Sequence, residues 1–203
     1  MVFALVVVLL LVLMFGVIMS PAIGRFDASA SAWIRSLRTP ALVTIATWVT
    51  HIADTVTMVI LVPLTALVLW LLGRRSGAIV LVVTVTGGWL LGSAIQSLVH
   101  RARPVGVNVI PLPTTYSFPS GHTLAATLYF GTLAFIVLGE VRNPALRYTL
   151  FALFGVLAVA VGLSRVYLGV HYVGDVVAGW LLGGAVVVVG ILGYFALTQP
   201  HAE

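Results

Sequence analysis

The sequence contains no cysteine and no lysine, and it carries few charges of any kind: only 7% of its 203 residues are Asp, Glu, Lys or Arg. Without cysteine there is no disulfide framework, no thiolate metal site and no cysteine nucleophile. The shortage of charge excludes more. A soluble domain carries about 25% charged residues, enough to coat a surface in water. Here 61% of the residues are hydrophobic, so lipid must be the solvent for most of the chain. Without lysine, all ten cations are arginine. Arginine keeps its charge and presents a planar fork that matches phosphate and carboxylate, although a GC-rich genome would leave the same bias.

A helix that crosses a bilayer needs about 20 mostly apolar residues. Six segments meet that requirement, at 2–23, 55–73, 77–98, 120–139, 148–166 and 174–197. The first has neither a basic n-region nor an A-x-A-like cleavage site before Pro21, so an uncleaved membrane helix is expected there. Between the first two, the stretch from Gly24 to Asp54 mixes Arg25, Asp27, Arg35 and Arg38 with Phe26, Trp33, Ile34 and Leu37. That mixture predicts a short amphipathic helix at the interface, with Trp33 and Trp48 suited to the headgroup zone. The fold class is therefore all-α: a polytopic membrane protein of six transmembrane helices plus a short interfacial helix in the first outer loop. A single domain over residues 1–203 is expected. Gly179-x-x-x-Gly183 has the small-residue spacing that lets helices approach closely.

Six spans put both termini on one side and the loops 24–54, 99–119 and 167–173 on the other. Arg74, Arg75, Arg142 and Arg147 lie on the terminal side, against Arg25, Arg35, Arg38, Arg101, Arg103 and Arg165 opposite. The positive-inside rule would then put the termini outside. Setting aside Arg101, Arg103 and Arg165, which fall near the apparent site, leaves four against three, which decides little.

The polar groups gather in three places, each at a predicted membrane boundary on the same side: Gln96 to Pro104, Pro119 to His122, and Ser164 to Asp175. Charged groups near membrane depth are costly and mark function. His171 and Asp175 are four apart at the start of the last helix, so both fall on one face. A carboxylate there accepts the proton of one imidazole nitrogen and leaves the other free as a nucleophile. Pro119-Ser120-Gly121-His122 opens the fourth helix. A helix N-terminus attracts phosphate: Ser120 and the Gly121 amide can bond its oxygens, and His122 in the first turn is placed to donate a proton. Arg103 and Arg165 supply two guanidinium groups that could clamp a phosphoryl group. Asp27, Asp54 and Asp175 form no carboxylate set, and the arginines repel a divalent cation, so metal-independent chemistry without a cofactor is expected.

These segments resemble the type 2 phosphatidic acid phosphatase family, whose pattern is Lys-x6-Arg-Pro, Pro-Ser-Gly-His and Ser-Arg-x5-His-x3-Asp. The chain reads Gln96-x6-Arg103-Pro104, Pro119-Ser120-Gly121-His122 and Ser164-Arg165-x5-His171-x3-Asp175. The second and third motifs match in full and in the family's order. The resemblance implies a lipid phosphate phosphatase in which His171 attacks phosphorus and becomes a phosphohistidine, with Asp175 orienting it. His122 would protonate the leaving oxygen and then activate water. Arg103, Arg165, Ser120, the Gly121 amide and the residue at Gln96 would hold the phosphoryl oxygens. It also implies a plasma-membrane protein with the site facing outward and cytoplasmic termini, against the raw arginine count.

One position departs from the pattern: Gln96 stands where the family has lysine. A neutral donor makes a weaker bond than a charged one, so the site binds phosphate less tightly or prefers another headgroup, unless Arg101 or His100 reaches in to replace the charge. His51 reads as an outer-loop residue and His201 as a solvated tail residue, whereas Tyr116, Phe118, Tyr167 and Tyr172 read as interface or packing residues. Expected partners are the bilayer and a lipid phosphate of the undecaprenyl diphosphate, phosphatidylglycerol phosphate or phosphatidic acid type. Nothing points to nucleic acid or an obligate protein partner. The alternatives are a lipid phosphotransferase using the same residues, and a non-enzymatic anion or lipid transporter. Transport gives no reason for a His-Asp pair beside a second histidine.

Overall fold

In the computed structural model of the protein, the described residues are Gly16 and residues 20–198. The expected first span, 2–23, lies almost wholly outside them. Seven helices follow: α1 (Pro21–Ser36), α2 (Pro40–His51), α3 (Thr55–Leu71), α4 (Arg75–Val99), α5 (Gly121–Glu140), α6 (Pro144–Tyr167) and α7 (Val173–Thr198). The chain is an all-α, multi-pass membrane protein.

Helices α4 to α7 are each long and apolar enough to cross a membrane. Helix α3 has only 17 residues. It joins α2 at a 47° bend, and together they supply a fifth candidate span. The stretch from Gly24 to Asp54 therefore holds two helices where one short amphipathic helix was expected. The reason is local chemistry at the break. The Thr39 side chain accepts the Leu42 N–H and Pro40 occupies the first turn, where its missing N–H costs nothing. The end of one helix and the start of the next thus fall within three residues, inside what reads as one polar loop.

Helix α1 is amphipathic in an inverted sense. Its exposed face carries Phe26 (73% exposed) and Trp33 (66% exposed), while Asp27 (5% exposed) and Ser31 (fully buried) face the protein. A helix lying at a membrane interface turns its aromatic side to lipid. The polar side is left to pack over the start of α7.

Helix α5 forms the centre, packing against α4, α6 and α7. Leu124, Ala126, Leu128, Tyr129 and Phe130 of α5 join Leu81, Val161 and Leu182 in the buried core. Glycine brings α7 against it. A Cβ on Gly183 would lie 2.7 Å from the Thr127 Cβ, and one on Gly179 would lie 2.9 Å from the Thr123 Cβ. With no hydrophobic drive between helices in lipid, such close packing supplies much of the association energy. It also fixes the start of α7 beside the start of α5, where two of the three polar clusters meet.

Candidate active site

The turn from α6 into α7 sets the first cluster. Gly169 adopts φ +79°, which a residue with a Cβ rarely does. The Val170 N–H donates back to the Arg165 carbonyl at 3.1 Å. This reversal delivers His171 and Asp175 into the interior, where both are buried.

Asp175 is held on both of its oxygens. Its Oδ1 accepts Arg101 Nη1 at 2.5 Å. Its Oδ2 accepts the Tyr172 N–H at 2.9 Å and a short bond from the Ser117 hydroxyl. His171 Nδ1 lies 3.4 Å from the same Oδ2. On the opposite edge of the ring, Arg103 Nη1 lies 2.7 Å from His171 Nε2. A guanidinium only donates, so Nε2 must be the acceptor and Nδ1 carries the proton toward Asp175. The tautomer is thus assigned by its partners on both sides. Burial pushes the His171 imidazole down to about 4, with the Asp175 carboxylate only partly opposing the shift. The ring is neutral at physiological pH.

Arg103 is itself held in place: Nε donates to the Thr115 carbonyl at 2.7 Å and Nη1 to the Val170 carbonyl at 2.9 Å. Burial lowers its basicity, partly offset by Asp175. Arg165, buried near the end of α6, donates from Nη1 to the Thr50 hydroxyl of α2 at 2.6 Å. Its buried Nε has no hydrogen-bond partner among the described residues.

Ser120 caps α5. Its hydroxyl oxygen accepts the Thr123 hydroxyl at 2.9 Å and the Thr123 N–H at 3.5 Å, leaving its own proton available. Its N–H donates to the Asp175 carbonyl at 3.0 Å, tying the two helix starts together. Gln96 donates from Nε2 to the Pro119 carbonyl at 2.9 Å. The charge missing at Gln96 is not replaced by its neighbours: Arg101 is held by carboxylates, and His100 ends α4 in a left-handed conformation, edge-on to Tyr116 at 4.4 Å.

A cavity of 540 Å³ joins five of the expected site residues, whereas Arg165, Ser120 and Asp175 are buried behind its wall and do not line it. His171, His122, Arg103, Gly121 and Gln96 line one end, and Met58, Val62, Val85, Trp89 and Leu124 line the other. The polar end therefore opens onto an apolar groove between α3, α4 and α5. Among the described residues no group of three His, Asp or Glu side chains is arranged to hold a metal ion.

Residues 76–199 match the family model described as PAP2 superfamily. The chain belongs to the PAP2 superfamily. It is a membrane lipid phosphatase, a hydrolase. Among its relatives, phosphatidylglycerophosphatase B of Bacillus subtilis is 28% identical over 167 residues, covering 80% of each chain. The undecaprenyl-diphosphatase of Sulfolobus acidocaldarius is 38% identical over 128 residues, covering 60% of this chain and 57% of its own. The crystal structure of the PAP2 type phosphatidylglycerolphosphate phosphatase from Bacillus subtilis superposes with a TM-score of 0.88. It is 23% identical and covers 99% of this chain and 100% of its own, which shows a shared fold.

Four further side chains of this PAP2 protein belong to the site and were not legible in the motifs: Thr50, Ser117, Arg101 and Asp27. The available signal was scarcity. With only five carboxylates in the chain, an aspartate in an otherwise basic interfacial helix needs a cationic partner. Thr50 generates a test. A hydrogen bond to a charged group contributes about 1.5–3 kcal/mol, so Thr50→Val is expected to raise KM for a lipid phosphate roughly tenfold as Arg165 loses its anchor. Steady-state kinetics in detergent read this out, and an unchanged KM would mean that Thr50 does not hold Arg165 for substrate.

Proposed function

We propose that the protein hydrolyses the phosphomonoester or diphosphate of a membrane lipid through a phosphohistidine on His171. The observation that carries this reading is the pair of contacts on the His171 ring, with Arg103 on Nε2 and, 3.4 Å from Nδ1, both the Asp175 carboxylate and the Ser117 hydroxyl. They place the lone pair on Nε2, where it accepts from Arg103; the nitrogen becomes a nucleophile when that guanidinium turns to the phosphoryl oxygens of a bound substrate. In the first step Nε2 bonds to phosphorus while the bond from phosphorus to the leaving oxygen breaks, and His122 gives that oxygen a proton. In the second, His122 takes a proton from water, the water oxygen bonds to phosphorus and the N–P bond breaks. Arg103 and Arg165 offset the charge on the transferring oxygens, while the Ser120 hydroxyl, the Gly121 amide and Gln96 complete the cradle.

The apolar groove supports a lipid substrate whose tail lies among Met58, Val62 and Trp89 while its phosphate meets the histidines. The named activities of the two relatives make phosphatidylglycerol phosphate and undecaprenyl diphosphate the first substrates to try, with phosphatidic acid beside them. The cations of the site are guanidinium groups, so no divalent ion is required. Phosphate release from these lipids is expected to persist in EDTA and to fall by roughly 10⁴-fold in His171→Ala. Loss of activity on chelation, or a fully active His171→Ala, would contradict this mechanism.

The protonation state of His171 sets a second expectation. Its value lies below that of free imidazole, so the neutral nucleophile persists as pH falls, until pH passes through the folded value of about 4. The acid limb of kcat/KM, which reports the free enzyme, is therefore expected near pH 4. An acid limb near 6.5 would place the ring in a wetter setting than its burial implies.

The likeness to the family supports an outward-facing site with cytoplasmic termini. Because the chain has no cysteine, single replacements report topology cleanly. Val105→Cys, on the loop beside the site, is expected to react with a membrane-impermeant maleimide on intact cells, whereas Arg142→Cys is expected to react only after lysis. The reverse pattern would invert the orientation.

A further inference from the structure

The mechanism above uses one face of Asp175 and leaves the other unexplained. On that face Arg101 joins two carboxylates: Nη1 donates to Asp175 Oδ1 at 2.5 Å, and Nη2 to Asp27 Oδ2 at 2.6 Å. Its guanidinium lies 4.5 Å from the centre of the Tyr172 ring, and its carbonyl accepts the Ser117 N–H at 2.8 Å. Ser117 in turn donates its hydroxyl to Asp175. Arg101 thus reaches the same carboxylate twice, once directly and once through Ser117. The two flanking carboxylates raise its basicity above that of a free guanidinium despite its burial.

Asp27 does more than neutralise Arg101. Its Oδ1 accepts the Gly174 N–H at 2.8 Å, and the neighbouring Ser31 hydroxyl accepts the Val173 N–H at 3.0 Å. The first free N–H groups of α7 are therefore capped by side chains of α1, from more than 140 residues away in sequence. Asp27 and Ser31, on the buried face of α1, thus bond to the start of α7 and to Arg101, next to the nucleophile.

We propose that Arg101 and Asp27 are positioning residues for His171, forming an ion-pair relay through which α1 sets how strongly Asp175 draws the Nδ1 proton. The charges facing His171 fix the signs. Arg103 from the loop before α5, Arg165 from α6 and a protonated His122 on α5 disfavour an imidazolium. Asp175, Asp27 and the more distant Asp54 favour it. Arg101 divides its charge between Asp175 and Asp27. Removing Arg101 frees Asp175 to draw the proton more strongly, so the imidazolium is stabilised. Removing the charge of Asp27 leaves Arg101 wholly to Asp175, so the imidazolium is destabilised.

The two substitutions must therefore move the ring in opposite directions, which loss of packing alone would not do. The experiment is a pH titration of the His171 ring by NMR, using histidine-labelled protein in detergent micelles with the resonance assigned from a His171→Asn variant. Arg101→Gln is expected to raise the midpoint by about one pH unit or more, with kcat falling about tenfold as Asp175 loses its orienting partner. Asp27→Asn is expected to lower the midpoint. A common direction for both variants, or a shift of less than about 0.3 unit in Arg101→Gln, would overturn the proposal. Should Arg101→Gln fail to fold, Asp27→Asn decides it alone: a downward shift supports the relay, and an unchanged or raised midpoint refutes it. The effect on rate rests on His171 being the nucleophile, but the titration does not. A fully active His171→Ala sinks the catalytic reading, whereas an unmoved titration beside an inactive His171→Ala sinks only the relay.

Discussion

A carboxylate with no exposure to solvent, in a protein whose outer surface is lipid, survives as an anion only if donors surround it, because an isolated buried charge costs many kcal/mol. Asp175 is that carboxylate. Its donors come from separate parts of the chain: the Tyr172 N–H beside it, Ser117 and Arg101 from the loop between α4 and α5, and His171 one turn away. Its backbone carbonyl accepts the Ser120 N–H as well. Satisfying this one residue brings together the end of α4, the start of α5 and the start of α7, which is where the chemistry is placed.

The rest of the fold serves that convergence. Gly179 and Gly183 let α7 lie on α5 closely enough for the two helix starts to share hydrogen bonds. Helix α1 turns its aromatic residues outward and its Asp27 and Ser31 inward, so an interfacial helix becomes a cap for a membrane-spanning one. The bend between α2 and α3 carries Thr50 to Arg165 on one side and leaves an apolar groove on the other. One cavity can then hold a charged headgroup against arginines and a hydrocarbon tail against Met58 and Trp89.

Helices α4, α5 and α7 were legible within two residues at each end, since long apolar runs leave little else for the chain to do. Helix α6 begins at Pro144, four residues before the span expected at 148–166, because Asn143 caps a first turn in which Arg147 interrupts the apolar run. The separation of α1 from α2 was hidden for a related reason: capping residues in a polar stretch read as loop. In the site, the facing of His171 and Asp175 follows from a spacing of four, and a helix start at Pro119-Ser120-Gly121 announces itself. The supports do not. Arg101 lies 74 residues from each of its carboxylates, Ser117 lies 58 from Asp175, and Thr50 lies 115 from Arg165. No local pattern encodes such pairings; they come from tertiary packing.

The central claim is that the Nε2 nitrogen of His171 attacks phosphorus while Asp175 holds the proton on Nδ1. Rapid quench into base of enzyme mixed with a ³²P-labelled lipid phosphate, followed by peptide mapping and ³¹P NMR of the labelled fragment, measures this directly. The account predicts an acid-labile phosphoramidate on the peptide containing His171, bonded through Nε2. Label on Nδ1, label on His122, or turnover with no covalent label at any quench time would contradict it.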